Sequence, residues 1–247
     1  MKVFLSPTLM DTARQCPRCA YDQMVMKLKR PRGPYPTLPN GMDEVLKQYT
    51  DRFRGTLPPE LKHLEGRRFV EDQTLINTYR QWNGLRCVHE QLVDRPTNAL
   101  PTRKIAHSLI VTGGIDDLLY DECDQIEILD FKTKKGEPDD NYGERYYQHT
   151  LDTYAYLLQQ QGLKVSSTAR LWYWWPTGVN EQGAVEFGNK ILTMTVHPEA
   201  TVERLSAIAN MLPAVSMEAM KYRPASSADC EFCTYIQTQK EHEEHEF

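Results

Sequence analysis

The sequence predicts an α/β or α+β fold in which a mixed central sheet is flanked by helices. Apolar residues at helical spacing mark the first part of the chain, as between Met42 and Phe53. From residue 84 onward, short apolar segments bounded by turn residues predict strands. A helix is then predicted at residues 142–162, and two strands and another helix follow it. Strands enclosed between helical segments are typical of a sheet domain covered by helices.

Three regions are predicted along the chain, and we expect them to form one compact unit. Residues 1–83 are expected to be helical, residues 84–200 to form the sheet-bearing core, and residues 201–247 to add a last helix. The proline-rich segment 31–40 predicts an irregular connection. The aromatic run 172–175 predicts a core strand that ends at Pro176, and the alternative is a surface that stacks nucleic-acid bases.

The bulk composition argues against several classes of protein. The 247 residues carry a formal net charge of −5, whereas a protein that coats nucleic acid over a wide surface is usually basic. No apolar run approaches the roughly 20 residues of a membrane span. Polar residues interrupt the N-terminus too early for the apolar segment of a signal peptide. We therefore expect a cytoplasmic protein.

The segment IEILDFKTKKG, residues 126–136, places a carboxylate and an amine at the end of an apolar strand. Side chains alternate along a strand, so Asp130 and Lys132 share one face and Phe131 points into the core. A carboxylate and an amine at the end of a buried strand must pair with each other or serve a ligand. A salt bridge between Asp130 and Lys132 is the alternative to a functional site.

A second acidic residue, Asp116, follows two glycines in the segment TGGIDDLL. An antiparallel hairpin would bring Asp116 and Asp130 to one side of the sheet. Two carboxylates, a backbone carbonyl and waters make a suitable Mg²⁺ or Mn²⁺ site. A lysine beside such an ion can orient a water molecule and stabilise a developing negative charge.

Two cysteine pairs lie near the two ends of the chain: Cys16 and Cys19 in CPRC, and Cys230 and Cys233 in CEFC. In a cytosolic protein such pairs indicate a metal or cluster rather than disulfides. Four thiolates can hold a tetrahedral Zn²⁺ ion or an iron–sulfur cluster. The alternative is four buried thiols without a ligand.

The chain resembles the PD-(D/E)xK nuclease superfamily in the order of three features: GGID, then LDFK, then a helix that contains a tyrosine. More narrowly, the pattern is similar to RecB/AddB-type and CRISPR-associated exonucleases. Gly113 and Asp116 match the first motif of that family, and Asp130 and Lys132 match the second. The resemblance implies a restriction-endonuclease-like core, with Asp116, Asp130 and the carbonyl of Phe131 as metal ligands. It also implies that Lys132 assists the attacking water.

The family pattern also includes a glutamine and a tyrosine four residues apart on a helix, and an acid or histidine upstream. Tyr154 matches the tyrosine, but Thr150 stands at the glutamine position. Gln148 lies about 240° around the helix from Tyr154, so it faces elsewhere. Asp43, with Glu44 beside it, is the candidate upstream ligand. A partner of the helix dipole is the alternative role for Asp43.

The resemblance extends to both ends of the chain, where SPTLMDTARQCPRCAYD and DCEFCTYIQ are similar to the segments that hold a [4Fe–4S] cluster in family members. Those members use one N-terminal and three C-terminal cysteines, whereas this chain has two and two. A cluster is therefore implied by resemblance, and Zn²⁺ is the alternative. The basic residues Lys27, Lys29 and Arg30 follow CPRC and, together with Gln148, are expected to contact DNA. A solvated charged face is the alternative for this basic run.

These observations predict a Mg²⁺- or Mn²⁺-dependent deoxyribonuclease, exonuclease-like, in which Asp43, Asp116, Asp130, Lys132 and Tyr154 form the site. The expected substrate is DNA that is single-stranded or has free ends, in repair, recombination or CRISPR adaptation, with protein partners from those pathways. One alternative is a nuclease fold that binds DNA with weak or no cleavage. Another is a scaffold clamped by its cysteines, with no metal site on the sheet.

Overall fold

The computed structural model describes residues 1–31, 37–95, 103–213 and 220–245. The chain forms two compact units. The first comprises Met1–Arg32, Val88–Val111 and Val202–Phe247, and the second comprises Gly33–Cys87 and Thr112–Thr201. The three-region division expected from the sequence stays a prediction.

The described residues contain eight strands and seven α-helices. In chain order they are β1 (Lys2–Leu5), α1 (Pro7–Gln15), α2 (Pro17–Met24), α3 (Thr37–Thr50), β2 (Arg68–Phe69), α4 (Gln73–Tyr79), β3 (Leu85–Arg95), β4 (Arg103–Gly113), β5 (Asp117–Tyr120), β6 (Ile126–Thr133), α5 (Tyr142–Gln160), β7 (Val165–Val179), β8 (Val185–Thr195), α6 (Pro198–Met211) and α7 (Glu231–His245).

The second unit is built on a five-stranded sheet of order β2-β5-β6-β7-β8. β6 and β7 are parallel, and the other neighbouring pairs are antiparallel. The sheet is therefore mixed and carries helices, which confirms the predicted fold class. One face of the sheet contributes to a buried apolar cluster that includes Phe69, Leu119, Leu129, Phe131 and Trp172.

The β5–β6 hairpin has a defined register, in which Asp117 pairs with Leu129 and Tyr120 pairs with Ile126. The intervening turn is closed by Asp121, whose carboxylate accepts backbone hydrogen bonds from Cys123 and Gln125, both at 2.9 Å. Aspartate favours such turns because its side chain replaces a backbone acceptor. The register places residue 116 beside residue 130, as the sequence predicts.

Helix α5 connects the parallel strands β6 and β7, which cannot be joined by a tight turn. It lies close against the sheet at Gly143, where an added Cβ would be 2.6 Å from the sulfur of Met194. The helix ends before Gly162, whose φ of +81° is accessible at low cost only to glycine. This end agrees with the predicted helix.

In the first unit, β1 lies parallel to β4 in a three-stranded sheet of order β1-β4-β3. Helix α1 follows β1 and is capped by Ser6, whose hydroxyl accepts a hydrogen bond from the backbone N–H of Leu9 at 3.2 Å. None of the helices in the described part of the chain has the length and apolar character that a membrane span requires.

Two local predictions are wrong. The segment 31–40 was expected to be irregular, but α3 already begins at Thr37 and includes Pro39. Proline is tolerated in the first turn of a helix because its missing N–H would have no partner there. Residues 32–36 lie outside the described part of the chain. The aromatic strand does not end at Pro176 but continues to Val179, with a shift in register after that proline.

Candidate active site

The predicted acidic residues converge on one cavity of about 440 Å³ in the second unit. Asp43 comes from α3, Asp116 immediately precedes β5, and Asp130 and Lys132 lie on β6. Tyr154 of α5 also lines the cavity. Five residues that the sequence selected from four separate segments are therefore neighbours in the folded chain.

The hairpin fixes the two central carboxylates relative to each other. The backbone N–H of Phe131 donates a hydrogen bond to Oδ2 of Asp116 at 2.8 Å, which ties the end of one strand to its neighbour. Lys132 forms an ion pair with Asp130, and its ammonium also donates to the carbonyl of Phe131 at 3.1 Å. The Phe131 ring points the other way and packs edge-on against Trp172. The alternation predicted for this strand is thus confirmed.

Lys47 is a residue of this cluster that the sequence reasoning missed. Its Nζ lies 2.7 Å from Oδ2 of Asp43 and 2.9 Å from Oδ1 of Asp116. The ammonium therefore joins α3 to the hairpin. The four-residue spacing from Asp43 to Lys47 indicates a pair on one helix face. The second partner, Asp116, is distant in sequence and could not be inferred from that spacing.

The two central aspartates differ in their protonation. Burial raises the pKa of Asp116, but the charges of Lys132 and Lys47 and the Phe131 N–H outweigh it, so the pKa stays below its ordinary value. Burial also raises the pKa of Asp130. The charge of Lys132 lowers this pKa and the charge of Asp116 raises it, and the net result is a pKa of about 7. One carboxylate is ionised and the other gains a proton near neutrality.

The pKa values of the neighbouring groups are set by the same two effects, burial and nearby charge. Burial lowers the pKa of Lys132, but the negative charges of Asp130 and Asp116 raise it above its ordinary value, so the amine stays protonated. For Asp43, burial and the charge of Asp116 raise the pKa, although Lys47 opposes them. Burial raises the pKa of Tyr154 well above its usual range, and the two neighbouring carboxylates add to that effect.

The donor set suits a hard divalent cation. Three carboxylates and the carbonyl of Phe131 provide oxygen ligands of the kind that Mg²⁺ and Mn²⁺ take. Oδ2 of Asp130 is buried and forms its ion pair with the ammonium of Lys132. A buried carboxylate oxygen that is paired with a cation fits a cation-binding role.

Glycines 113 and 114 make room for the surrounding elements. A Cβ at Gly113 would lie 2.9 Å from the Tyr154 ring, and a Cβ at Gly114 would lie 2.8 Å from the carbonyl oxygen of Gln81. The two glycines therefore allow Tyr154 and the chain at residue 81 to approach the strand that leads into Asp116. This contact gives a physical reason for the glycine pair that precedes the acidic residue.

Tyr147 is a second missed residue of the cavity. It lies two helical turns before Tyr154 on α5, so the two rings share a face. The ammonium of Lys132 lies 4.9 Å from the centroid of the Tyr147 ring, within the range of a cation–π contact. The apolar stripe of the helix includes both tyrosines, but a stripe alone predicts only packing.

Gln148 is engaged outside the cavity. Its amide donates to Oδ1 of Asp152 at 2.8 Å and to the carbonyl of Thr195 at 2.7 Å. Thr150, at the family's glutamine position, pairs with the neighbouring His149 at 3.3 Å. The structure therefore brings neither residue to the acidic cluster, and the DNA contact expected for Gln148 stays a prediction.

A buried ion network supports the hairpin from behind. Asp117 is fully buried and accepts hydrogen bonds from Arg54 at 2.6 and 2.7 Å, Arg80 at 3.1 Å and the Thr50 hydroxyl at 2.8 Å. Arg80 also donates to the backbone carbonyl of Asp116 at 2.9 Å. Because Thr50 ends the helix that holds Asp43 and Lys47, this network fixes both the helix and the strand end.

The four paired cysteines come together in the first unit, and their ligand atoms all lie within 4.8 Å of one another. The Sγ of Cys19 is 3.3 Å from that of Cys233 and 3.7 Å from that of Cys230, and the Sγ atoms of Cys16 and Cys233 are 3.8 Å apart. The clustering that the sequence predicted is confirmed. The set could hold a metal ion or a cluster.

Both cysteine pairs occupy the same positions on their helices. Cys16 immediately precedes α2 and Cys19 is the third residue of that helix, and Cys230 and Cys233 stand in the same way on α7. Helix N-termini favour thiolates because their free N–H groups carry partial positive charge. Burial raises the pKa of Cys16, but hydrogen bonds from the backbone N–H groups of Ser227 and Cys19 outweigh it and lower the pKa to about 6. Burial raises the pKa of Cys19 and of Cys233 above the ordinary value, so these thiols do not titrate alike.

The expected DNA-contacting residues lie close to these cysteines. Arg30 donates to the Sγ of Cys230 at 3.2 Å and its guanidinium lies 5.0 Å from the centroid of the Phe232 ring. Lys27 donates to the carbonyl of Met24 at 2.8 Å, and Lys29 is exposed. The charge of Arg30 thus faces the thiols. The DNA contacts expected of this basic run stay a prediction.

The order of the motifs and the geometry of the cavity agree with a comparison against known families. The family model of the PD-(D/E)XK nuclease superfamily matches residues 5–238. The chain belongs to this superfamily. Membership of the PD-(D/E)XK superfamily indicates a nuclease-type hydrolase.

Two other comparisons add little to that assignment. A crystal structure of a protein named SSO0001 is similar with a TM-score of 0.34 and 9% identity, over 86% of this chain and 78% of that chain. No curated protein matches the chain. The family assignment therefore rests on the family model.

Replacing Asp117 by asparagine tests the support of this PD-(D/E)XK site. The change removes a buried charge and leaves Arg54 and Arg80 with less compensation, so we expect the free energy of unfolding in urea to fall by about 3 kcal/mol. The matched control is Asp124→Asn, which breaks the exposed pair with Arg68 and should cost no more than about 1 kcal/mol. Equal losses in the two variants would contradict the account.

Proposed function

We propose that this protein is a Mg²⁺- or Mn²⁺-dependent deoxyribonuclease. Asp116 and Asp130 would hold the metal, with Asp43 and the Phe131 carbonyl as further ligands. The observation that supports this function most is that the charged residues of both family motifs, Asp116, Asp130 and Lys132, line one cavity together with the upstream acid. When bound, the metal would lower the pKa of a water molecule and neutralise charge on the phosphodiester.

Lys132 would act as a positioning and charge-stabilising group in this mechanism. Its pKa is raised by Asp130 and Asp116, so at neutral pH the amine donates hydrogen bonds and does not accept a proton. An ammonium fixed beside a buried carboxylate can orient the attacking water and stabilise negative charge as it develops on the phosphate. The contacts to Asp130 and to the Phe131 carbonyl hold it in place.

Asp116 and Asp130 would have different roles in the mechanism. Asp116 is ionised at neutral pH and provides a permanent negative charge, which the Phe131 N–H orients. Asp130, with a pKa of about 7, must be deprotonated to serve as a ligand. Tyr154 keeps its proton and would act as a hydrogen-bond donor at the side of the cavity. Lys47 would hold Asp43 and Asp116 at a fixed separation.

A DNA-binding module with weak or no cleavage is the second candidate. The ammonium of Lys47 lies between Asp43 and Asp116, where it balances their charge without a metal. Thr150 replaces the motif glutamine as well. The position of Lys47 suits a fold that depends less on metal, and the loss of the motif glutamine suits weak cleavage. The cleavage experiment below separates the two candidates.

The finer features of the function rest on the narrower resemblance to RecB/AddB-type and CRISPR-associated exonucleases. We propose an exonuclease-like activity on DNA that is single-stranded or has free ends, in repair, recombination or CRISPR adaptation. Protein partners would come from those pathways, and the protein would act in the cytoplasm. The basic residues Lys27, Lys29 and Arg30, with Gln148, would contact the DNA backbone.

For the cysteine site, the sulfur distances favour a single Zn²⁺ ion over the [4Fe–4S] cluster that the resemblance implies. Four sulfurs bound about 2.3 Å from one zinc ion lie about 3.8 Å from one another. Three of the Sγ–Sγ distances are 3.3–3.8 Å and all of them are within 4.8 Å, which is closer to that arrangement than to the spacing around a cluster. A cluster inserts four irons and four sulfides between its cysteines and needs a wider separation. Either group would join the two ends of the chain.

Cleavage of labelled DNA with Mn²⁺ tests the proposed function. The wild type is expected to cut single-stranded DNA, or duplex DNA with free ends. Lys132→Ala should lower the rate at least about a hundredfold, because the water loses its positioning group. Lys190→Ala is the matched control, since Lys190 pairs with the exposed Asp140 and does not line the cavity.

Three outcomes of this assay have different meanings. If the cleavage rate falls in Lys132→Ala and is unchanged in Lys190→Ala, the proposed nuclease activity is supported. Tight DNA binding without cleavage in the wild type favours the binding module. If the wild type neither cleaves nor binds DNA, the cysteine-clamped scaffold is the better account.

Metal analysis of protein purified without oxygen tests the cysteine site. We expect about one zinc per chain and no visible absorption from an iron–sulfur cluster. Cys19→Ser should lower the zinc content severalfold and the melting temperature with it. Cys123→Ser, which alters an exposed cysteine outside the four-thiol set, should leave both unchanged. Iron and sulfide at about four per chain would show that the cluster is present.

A further inference from the structure

A cavity of about 560 Å³ lies next to the active-site cavity. We call it the aromatic groove and define it by Leu38, Met42, Lys134, Trp174, Val185 and Phe187. Pro39 and Thr133 line both cavities. Thr133 directly follows Lys132 in the chain, and Met42 directly precedes Asp43. The groove is therefore a direct continuation of the acidic cavity.

Large apolar side chains are exposed along this groove. Leu38, Val185 and Phe187 are 76%, 54% and 40% exposed. Exposed apolar surface costs free energy in water, and a group of such residues beside a functional cavity indicates a binding surface. The proposed hydrolysis of a phosphodiester requires no apolar surface, so the chemistry leaves this feature unexplained.

Trp174 provides a rigid flat surface in the groove. Its ring lies 5.0 Å from that of Trp172, which is buried and whose indole N–H donates to Asn189 at 3.0 Å. Trp174 pairs with Asn189 across the strands, and Phe187 pairs with Pro176. The rings of Trp174 and Phe187 are thus diagonal neighbours on one face of the β7–β8 ribbon. Both also line an adjoining cavity of about 570 Å³.

The rim of these two cavities is positively charged, although the chain as a whole is negative. Lys134 and the exposed Lys135 line the aromatic groove, and Arg52 lines the adjoining cavity, where its guanidinium lies 4.8 Å from the Tyr49 ring centroid. Glu60 is the one acidic residue among those lining the two cavities, and it accepts a hydrogen bond from the Tyr49 hydroxyl at 2.8 Å. Aromatic rings with cations beside them are the composition that binds single-stranded nucleic acid.

We infer that the aromatic groove binds unpaired bases of the DNA strand whose phosphate enters the active-site cavity. The inference rests on the proposed function and names its substrate class, which is single-stranded DNA or a frayed end. Bases would stack on Trp174 and Phe187, while Lys134 and Lys135 face the backbone phosphates. Bases in a paired duplex cannot stack in this way because their faces are already covered. The cationic rim and the shared wall with the acidic cavity favour nucleic acid over an apolar peptide.

Binding of short oligonucleotides by the full chain tests this inference. The probes are a labelled 12-residue single strand, the same strand with abasic residues, and a duplex closed at both ends by hairpins. Fluorescence anisotropy is measured with Ca²⁺ in place of Mn²⁺, so that binding is read independently of cleavage. The variants are Phe187→Ala and Lys135→Ala, with Trp82→Ala as the control for loss of an exposed aromatic residue outside the groove.

The inference predicts a specific pattern across probes and variants. Phe187→Ala should weaken binding of the intact single strand about tenfold and leave binding of the abasic strand unchanged, since only stacking is lost. Lys135→Ala should weaken both strands alike, because it removes a phosphate contact. Trp82→Ala should change neither, and the closed duplex should bind more weakly than the single strand. Trp174→Leu serves as a second test of stacking, with its fold checked by circular dichroism.

Other outcomes would overturn the inference, and a Mn²⁺ cleavage assay on the same samples separates it from the proposed function. Equal binding of intact and abasic strands by the wild type would contradict base stacking and leave an apolar peptide as the occupant of the groove. If the wild type cleaves DNA and Phe187→Ala does not change binding, base binding in the aromatic groove is contradicted and the nuclease activity is supported. If Phe187→Ala loses base-dependent binding and the wild type does not cleave DNA, base binding in the aromatic groove is supported and the nuclease activity is contradicted.

Discussion

The antiparallel pairing of β5 with β6 is the constraint on which the candidate site depends. It places Asp116 beside Asp130, and the hydrogen bond from the Phe131 N–H to Asp116 fixes their separation. A shift of one residue in this register would turn Asp130 and Lys132 toward the core and bring the Phe131 ring into the cavity. The turn closed by Asp121 and the buried contacts of Asp117 both resist such a shift.

Two buried acidic residues of the hairpin, Asp117 and Asp130, serve opposite purposes in this arrangement. Asp117 is surrounded by Arg54, Arg80 and Thr50, so its charge is compensated and it stabilises the fold. Asp130 is buried with less compensation, and its pKa of about 7 reflects that deficit. A carboxylate that the fold leaves short of positive charge suits the binding of a cation. The rigid network behind the hairpin allows this locally unfavourable electrostatic arrangement to persist.

The parts of the site that could be predicted from sequence are those encoded by short-range geometry. Alternation along a strand gave the shared face of Asp130 and Lys132, and the length of the hairpin gave their approach to Asp116. Lys47 and Tyr147 could not be assigned in this way, because their roles depend on contacts between segments far apart in the chain. The continuation of β7 past Pro176 was missed for a local reason, since a shift in register lets the strand tolerate proline.

Mn²⁺ binding by isothermal titration calorimetry tests the central claim that the hairpin acids form a metal site. The account predicts that the wild type binds Mn²⁺ and that Asp116→Asn weakens binding at least about tenfold, because a charged ligand is lost. Asp140→Asn, which removes an acid that does not line the cavity, should bind as the wild type does. Unchanged Mn²⁺ binding by Asp116→Asn would contradict the account.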